Sequence, residues 1–437
     1  MQKIPIIRWN SNSRSKIIGR LVNRDAVNRR AEEAAERILK DVQSRGDPAV
    51  CEYAAKFDGV VLEPGQLELP GEQLNDCAGR TGRDFREAAR AAHKRIREFS
   101  SAGMRADWSI KGGCGELMGE KMTPFDRVGI YVPGGTAPLA STALMTVTLA
   151  RVAGVREIVV CTPCDSAGRV DPHILYALKI SGATEIYRVG GVQAIGMLAY
   201  GTKSVRKVQK IAGPGNAYVT AAKRQAYGHV ALDLVAGPSE IAILADDTAS
   251  ASDIAADLLS QAEHGTGEEK ALLVTDSEDM AYAVRSELAK QSATLARRGP
   301  VGKVMKNGMA LAIVKDLEAG MELCNRFAPE HFEIQVKNPS RWLKRVTAAG
   351  AVFLGRWTPE TVGDFIAGPS HVLPTGGAAS SFSGLTVDDF RRRTSFVKYT
   401  RKALKEAMPH IEAFARVEGL DAHGRSAGIR FERQPGH

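Results

Sequence analysis

Apolar residues near the start of the chain recur at spacings of three and four. In NRRAEEAAERILKDVQSRG and REAARAAHKRIREF they leave Arg and Glu on the opposite face, which predicts amphipathic helices across residues 23–99. From Arg127 the texture changes. RVGIYV, REIVVC, EIYRVG, KVQKIAG and HVALDLV are short apolar runs rich in β-branched residues. Helix-length segments separate them: TAPLASTALMTVTLARVAG, DPHILYALKISG, VQAIGMLAYG and NAYVTAAKRQAYG. That alternation predicts a parallel sheet with helices on both faces. A second series follows, with strands EIAILA, KALLVT, MALAIVK, HFEIQV and GAVFLG between SDIAADLLSQAEHG, SEDMAYAVRSELAKQ, LEAGMELCNRFAP and PSRWLKRVTAAG. Two α/β units in tandem suggest a duplication, although no residue-by-residue repeat is visible. After about residue 365 the Gly/Pro/Ser-rich IAGPSHVLPTGGAASSFSGL reads as a functional loop or linker. Residues 388–417 read as a basic helical tail whose Arg391, Arg392, Arg393, Arg401 and Lys402 form a solvated face.

Length and composition narrow the classes. At 437 residues, with 44% hydrophobic and 25% charged residues, the chain has matter for roughly three domains and for large cores. The net charge of +9 permits attraction to anions without establishing a nucleic-acid partner. Six cysteines are too few for a disulfide scaffold and point to a reducing, cytoplasmic compartment. The uncharged stretch 128–150 is long enough to span a bilayer, but Pro133, Gly134, Gly135 and Pro138 break it and five Ser/Thr dilute it. The first residues lack the apolar core of a secretory leader.

Several expected strands end in glycine turns: Pro133-Gly134-Gly135, Gly190-Gly191, Gly213-Pro214-Gly215-Asn216 and Gly237-Pro238-Ser239. Beyond the carboxyl ends of such strands, helix N-termini and bare amides suit phosphates, so a nucleotide fits there. Neither G-x-G-x-x-G nor a P-loop occurs, and tight turns need glycine anyway. Gln261 and His264, three apart at a helix end, share one face. With Asp364 and His423 they offer N and O donors suited to Zn²⁺. Spacing alone does not bring the four together, and on spacing alone a capped helix end with two unrelated polar loop residues is the favoured account. Glu330 and His331 form a possible acid/base pair, but adjacent strand residues face opposite ways, so only a distorted junction aims both at one substrate. Cys161-Thr162-Pro163-Cys164 has no second pair to complete a zinc site. His371, between backbone breakers in GPSHVLPT, is open to a hydrogen-bonding or substrate role.

VGIYVPGGTAPL, VGGVQAIG, IAGPGNAYVT, AGPSEI, DLLSQAEHG, APEHFEIQ, GDFIAGPSHVLPT and EGLDAH together resemble the histidinol dehydrogenase family, over residues 6–431. The resemblance implies zinc and NAD dependence and oxidation of L-histidinol to L-histidine, the last two steps of histidine biosynthesis. It implies zinc on Gln261, His264, Asp364 and His423, and NAD against Tyr131, Gln193 and Asn216. Substrate would touch Ser239, Gln261, His264, His331, Asp364, Glu418 and His423, with His371 beside them. Glu330 and His331 become the catalytic pair, and a homodimer is expected in which Glu418 and His423 act in the neighbouring subunit's site. Where the family usually has Asn in GPNHVLPT this chain has Ser370, which bears on substrate preference. Two alternatives stand beside this: a zinc/NAD paralogue acting on another small polar alcohol such as a sulfonated diol, and a non-catalytic anion-binding α/β protein.

The expected architecture is α/β: two tandem incomplete Rossmann-like domains with parallel sheets, plus helical N-terminal and C-terminal extensions. Residues 1–24 form an arm, 25–127 with 240–381 a discontinuous domain, 128–239 an inserted domain, and 382–437 a helical extension that contacts the partner subunit. The helical N-terminal part is expected to pack on the second α/β unit.

Overall fold

The computed structural model describes residues 4–12, 15–24, 28–134, 138–234, 237–264 and 267–432. Long apolar runs become strands buried on both faces, as parallel pairing requires when helices cover both sides. Five of them form one parallel sheet in the order Glu185–Tyr187, Glu157–Cys161, Arg127–Tyr131, Lys210–Ala212, Ala231–Leu232. By position in the chain that order is 3-2-1-4-5. The second sheet repeats it with Met309–Ile313, Lys270–Thr275, Glu240–Ala245, His331–Gln335 and Ala351–Leu354. Each sheet therefore reverses direction between its first and fourth strands, the point where such sheets open a crevice. The α/β reading with parallel sheets holds.

The arm strand Ile6–Arg8 adds to the outer edge of the second sheet, pairing in parallel with Met309–Ile313. The helix Lys16–Val22 follows it, burying Ile18 and Leu21 against the second sheet; the longer helices after it do not, which corrects the expectation that the helical N-terminal part packs on the second α/β unit. The helix Arg29–Arg45 buries Ala31, Ala35, Ile38, Leu39 and Val42 in the same core as Val192, Ile195 and Leu198, on one face of the first sheet. Ala89, Ala92 and Ile96 of helix Arg83–Gly103 join the core on its other face. The reason is local fit. Gly196 leaves room for the incoming helix, since a Cβ there would lie 3.1 Å from Val42 Cγ1 and 3.3 Å from Leu39 Cδ2. The second sheet is covered by Ala251–Ala262, Glu278–Ser292 and Arg298–Asn307 on one face and by Leu317–Phe327 on the other.

The chain divides into two compact units, Met1–Gly103 with Phe125–Phe390, and Met104–Pro124 with Arg391–His437. The first holds both parallel sheets. In the second, Arg391–Lys398 is a strand rather than the start of a helical tail, antiparallel to Leu117–Pro124, which also pairs with Trp108–Lys111. Phe396 pairs across from Gly119, where a Cβ would lie 2.7 Å from its ring. The helices Arg401–Glu418 and Asp421–Gly428 follow. No helix of the described residues is long and apolar enough to cross a membrane.

Candidate active site

The helix Leu317–Phe327 stops at Ala328, whose φ of 47° makes it the one non-glycine residue in the left-handed region among the described residues. Pro329 then forbids further helix, and the chain enters the strand His331–Gln335, between Glu240–Ala245 and Ala351–Leu354. This is the distorted junction that the adjacent Glu330 and His331 needed. Their side chains converge, with Glu330 Oε2 at 3.9 Å from His331 Nδ1, and both residues are buried. Glu330 Oε2 accepts the Glu240 amide N–H at 3.0 Å, and the Ser239 hydroxyl donates to the same carboxyl group. The site thus lies at the amino ends of the second sheet's strands, not at the carboxyl ends where the glycine turns drew attention.

Helix Ala251–Ala262 runs back antiparallel to these strands, so its last turn returns to the same edge. Gln261, fully buried there, has Oε1 at 2.9 Å from His331 Nδ1, while its Nε2 has no hydrogen-bond partner. The short helix Glu360–Phe365 brings in two carboxylates four residues apart. Glu360 Oε2 lies 3.9 Å from His331 Nδ1, and Asp364 Oδ1 lies 3.8 Å from His331 Nε2. One ligand atom from each of His331, Glu360 and Asp364 can be chosen so that all lie within 4.8 Å of one another. Within this group, Asp364 and the neighbouring buried amide of Gln261, whose Nε2 has no partner, are oxygen donors that fit a divalent cation such as Zn²⁺. Burial lowers the His331 pKa to about 4 and raises Glu330 well above the carboxylate range. It also lifts Glu360 to about 8. The imidazole is therefore neutral at neutral pH and free to accept a proton. His264, exposed just past the helix end, is close enough for its charge to act on His331 and His371.

His371 is held between two segments: its Nε2 is 3.1 Å from Thr142 Oγ1 and its Nδ1 is 3.1 Å from the Asp364 carbonyl. Thr142 belongs to the first turn of helix Ala140–Val152, and Pro138 just before that helix lines a separate cleft of about 1610 Å³. This cleft opens at the carboxyl ends of the first sheet. Tyr131, Gln193 and Asn216 all line it, with Asp58, Pro163 and Gly190. Tyr131 Oη accepts the Gly191 N–H at 3.1 Å. Asn216 caps the helix Ala217–Ala226 through Oδ1, which accepts from Tyr218 N at 3.0 Å. Gln193 is fully buried, with both amide atoms unpartnered. The turn before Asn216 requires glycine: Gly213 has φ of 113°, and a Cβ would meet the Tyr131 carbonyl at 2.1 Å. Buried Lys223 ties this turn down, donating to Gly213 O at 2.9 Å and pairing with Asp233.

The family model described as histidinol dehydrogenase matches residues 22–431. The chain belongs to the histidinol dehydrogenase family. A histidinol dehydrogenase of Geobacillus kaustophilus is 45% identical over 396 residues, covering 91% of this chain and 93% of the relative. One from Bacillus cereus (strain ATCC 10987 / NRS 248) is 42% identical over 434 residues, covering 99% and 97%. The crystal structure of histidinol dehydrogenase from Elizabethkingia anophelis superposes with a TM-score of 0.93 at 32% identity, covering 98% of each chain. The chain is thus an oxidoreductase of the dehydrogenase type.

Against the histidinol dehydrogenase motifs, the first unit gathers Ser239, Gln261, Glu330, His331, Asp364 and His371, with His264 nearby. Glu418 ends the helix Arg401–Glu418 and His423 lies in Asp421–Gly428, both in the second unit and both exposed. Ser370 is buried, donating to Met145 O at 3.4 Å and accepting from Val372 N at 3.2 Å, so the hydroxyl locks the loop on both sides of His371. All six cysteines are free, and burial raises the Cys161 and Cys164 thiols, the reverse of what a redox pair needs. Sequence reasoning missed Glu360. Its signal was present: in PETVGDF it precedes Asp364 by one helical turn and so shares its face.

Proposed function

We propose that this dehydrogenase oxidises L-histidinol to L-histidine through the aldehyde, in two NAD-linked steps at a zinc site, as the last two steps of histidine biosynthesis. One observation carries the reading: a buried, neutral His331 and its neighbour Glu330 meet Gln261 and Asp364 at one sheet edge. Helix Ala140–Val152 connects that edge to the cleft lined by Tyr131, Gln193 and Asn216, through Thr142 at one side and Pro138 at the other. Gln261, His264, Asp364 and His423 would hold the metal, and Tyr131, Gln193 and Asn216 the dinucleotide. When bound, the metal would grip the amine and imidazole nitrogens of the amino alcohol, and NAD would accept the hydride.

His331 takes the hydroxyl proton of the alcohol as its C–H bond gives up the hydride, which leaves the aldehyde. Ser239 and the Glu240 amide steady Glu330, whose burial strengthens its hold on a proton. In its ionised form Glu330 then takes a proton from the water that adds to the aldehyde, and the hydrate formed gives up the second hydride. His371, anchored by Thr142, closes the side of the site toward the cleft. Glu418 would accept an imidazole N–H of the substrate and fix its tautomer.

Glu418 and His423 would come from a second subunit of a homodimer. The exposed apolar residues of the second unit support such a contact, among them Trp108, Val397, Phe414 and Val417. Six free cysteines support a cytoplasmic setting.

The test is purified protein with L-histidinol and excess NAD. Two NADH per histidinol, abolished by a chelator and restored by zinc, is the expected result. No NADH from histidinol under zinc-replete conditions, or turnover of a different alcohol in its place, overturns the reading.

A further inference from the structure

Gln261 Oε1, an acceptor 2.9 Å from His331 Nδ1, puts the proton of the neutral ring on Nδ1 and leaves Nε2 as the lone-pair nitrogen on the Asp364 side. A histidine whose other nitrogen is not held loses its orientation and tautomer. Three acceptors stand near Nδ1: Gln261 Oε1 at 2.9 Å, and Glu330 Oε2 and Glu360 Oε2 each at 3.9 Å, of which Glu330 Oε2 already accepts the Glu240 N–H. Gln261 and Glu360 are fully buried, and each keeps one polar side-chain atom without a partner, Gln261 Nε2 and Glu360 Oε2.

The rest of Glu360 is fastened. Its Oε1 accepts from the Ser260 hydroxyl, which also donates to Asp257 O at 2.9 Å. Its backbone N–H donates to Glu333 Oε1 at 2.8 Å, and Glu333 Oε2 in turn accepts from Gln335 Nε2 at 3.1 Å. One carboxylate oxygen is thus left free, facing the imidazole. Gln261, by contrast, is claimed twice, once by His331 and once by the metal. A cation on its amide oxygen draws electron density away and weakens that oxygen as an acceptor.

We propose that Glu360 is the positioning residue of His331: it takes over the Nδ1–H when Gln261 Oε1 turns to the metal, and so keeps the Nε2 lone pair facing the substrate. The inference rests on the metal-site reading above. No charge is required of Glu360, because an oxygen of a protonated carboxyl group accepts as well.

The test uses full-length protein labelled with [¹⁵N]histidine, the His331 signal being the one missing from His331→Asn. Zinc-loaded wild type and Glu360→Gln, which retains an acceptor oxygen, are expected to hold the Nδ1–H tautomer. Glu360→Leu is expected to lose it when loaded with zinc and to keep it when metal-free, where Gln261 still accepts. In histidinol oxidation, kcat of Glu360→Leu is expected to fall ~10–100-fold, with zinc content unchanged, KM within about threefold, and Glu360→Gln near wild type. A zinc-loaded Glu360→Leu with the wild-type tautomer and kcat overturns the proposal. Loss of zinc from that variant also overturns it, by making Glu360 a ligand. Should Glu360→Leu fail to fold, Glu360→Met carries the same comparison. If wild type does not oxidise histidinol, the functional reading fails on its own, and the tautomer comparison still decides the role of Glu360.

Discussion

At His331 burial decides the charge. Desolvation removes its charge, bringing its pKa to about 4, so the ring waits neutral for a proton. Replacing it with Asn keeps a polar side chain but no basic nitrogen. His331→Asn is expected to lower kcat by ~10²–10⁴-fold with zinc content unchanged, and wild-type turnover in that variant would remove His331 from the reaction. Glu360 shows the opposite consequence of burial. Its folded pKa of about 8 lies above the 4.5 of a free carboxyl, so the folded chain binds the proton more tightly than the unfolded one. Its contribution to stability is complete below about 4.5 and is lost as pH rises through about 8. For metal-free protein, the melting temperature of wild type minus that of Glu360→Gln is therefore expected to fall across this window. A difference that is flat or rises with pH contradicts the assignment. The charges of Glu330, His331 and Asp364 were legible as residue types. Their convergence was not, because it depends on one left-handed residue, Ala328, with no glycine to announce it.

At the scale of elements, the period of the apolar pattern marks where strands and helices lie, and it does so for the strands of the two βα series. It is less informative about what each helix packs against. The helix Arg29–Arg45 presents an apolar stripe that any sheet-covering helix would accept. It lies on the first sheet because Gly196 lets Val42 and Leu39 approach closely. Gly196→Val is expected to destabilise the fold by ~1–3 kcal/mol through overpacking, measured as a lower urea midpoint. An unchanged midpoint would mean the contact yields freely. Several elements eluded the pattern, among them the strands Ile6–Arg8, Trp108–Lys111 and Leu117–Pro124 and the helix Glu360–Phe365, where a loop is expected at Asp364; two more have an identifiable reason. Arg298–Asn307 carries Gly299 and Pro300 in its first turn, which read as a loop although proline is tolerated there. Arg391–Lys398 carries an arginine run that suits a solvated helix. Its neighbour across the sheet, Leu117–Pro124, is distant in sequence and supplies the hydrogen bonds that make it a strand.

For the whole molecule, the repeated 3-2-1-4-5 order supports the duplication that the paired grain of the sequence suggested. The two halves use opposite ends of their strands, the first sheet its carboxyl ends for the cleft and the second its amino ends for the meeting of Glu330 and His331. If Glu418 and His423 serve the neighbouring subunit, two inactive variants complement each other. Equal mixing of His331→Asn and His423→Asn subunits, unfolded and refolded together, is expected to restore ~25% of wild-type activity, since half the dimers carry one intact site of two. No activity above that of the separate variants would place both groups in one chain.

The amino-acid sequence by itself determined the class of fold, the strands of the two βα series and most of the longer helices, because hydrophobic period is a local property that each segment carries with it. It also carried the family, through motifs long enough to be specific. Only the tertiary structure decided which helix covers which sheet, that Glu330 and His331 meet at the amino ends of the second sheet, and that Glu360 stands beside His331. Those outcomes depend on close approach between residues far apart in the chain, and a linear pattern contains no measure of that distance.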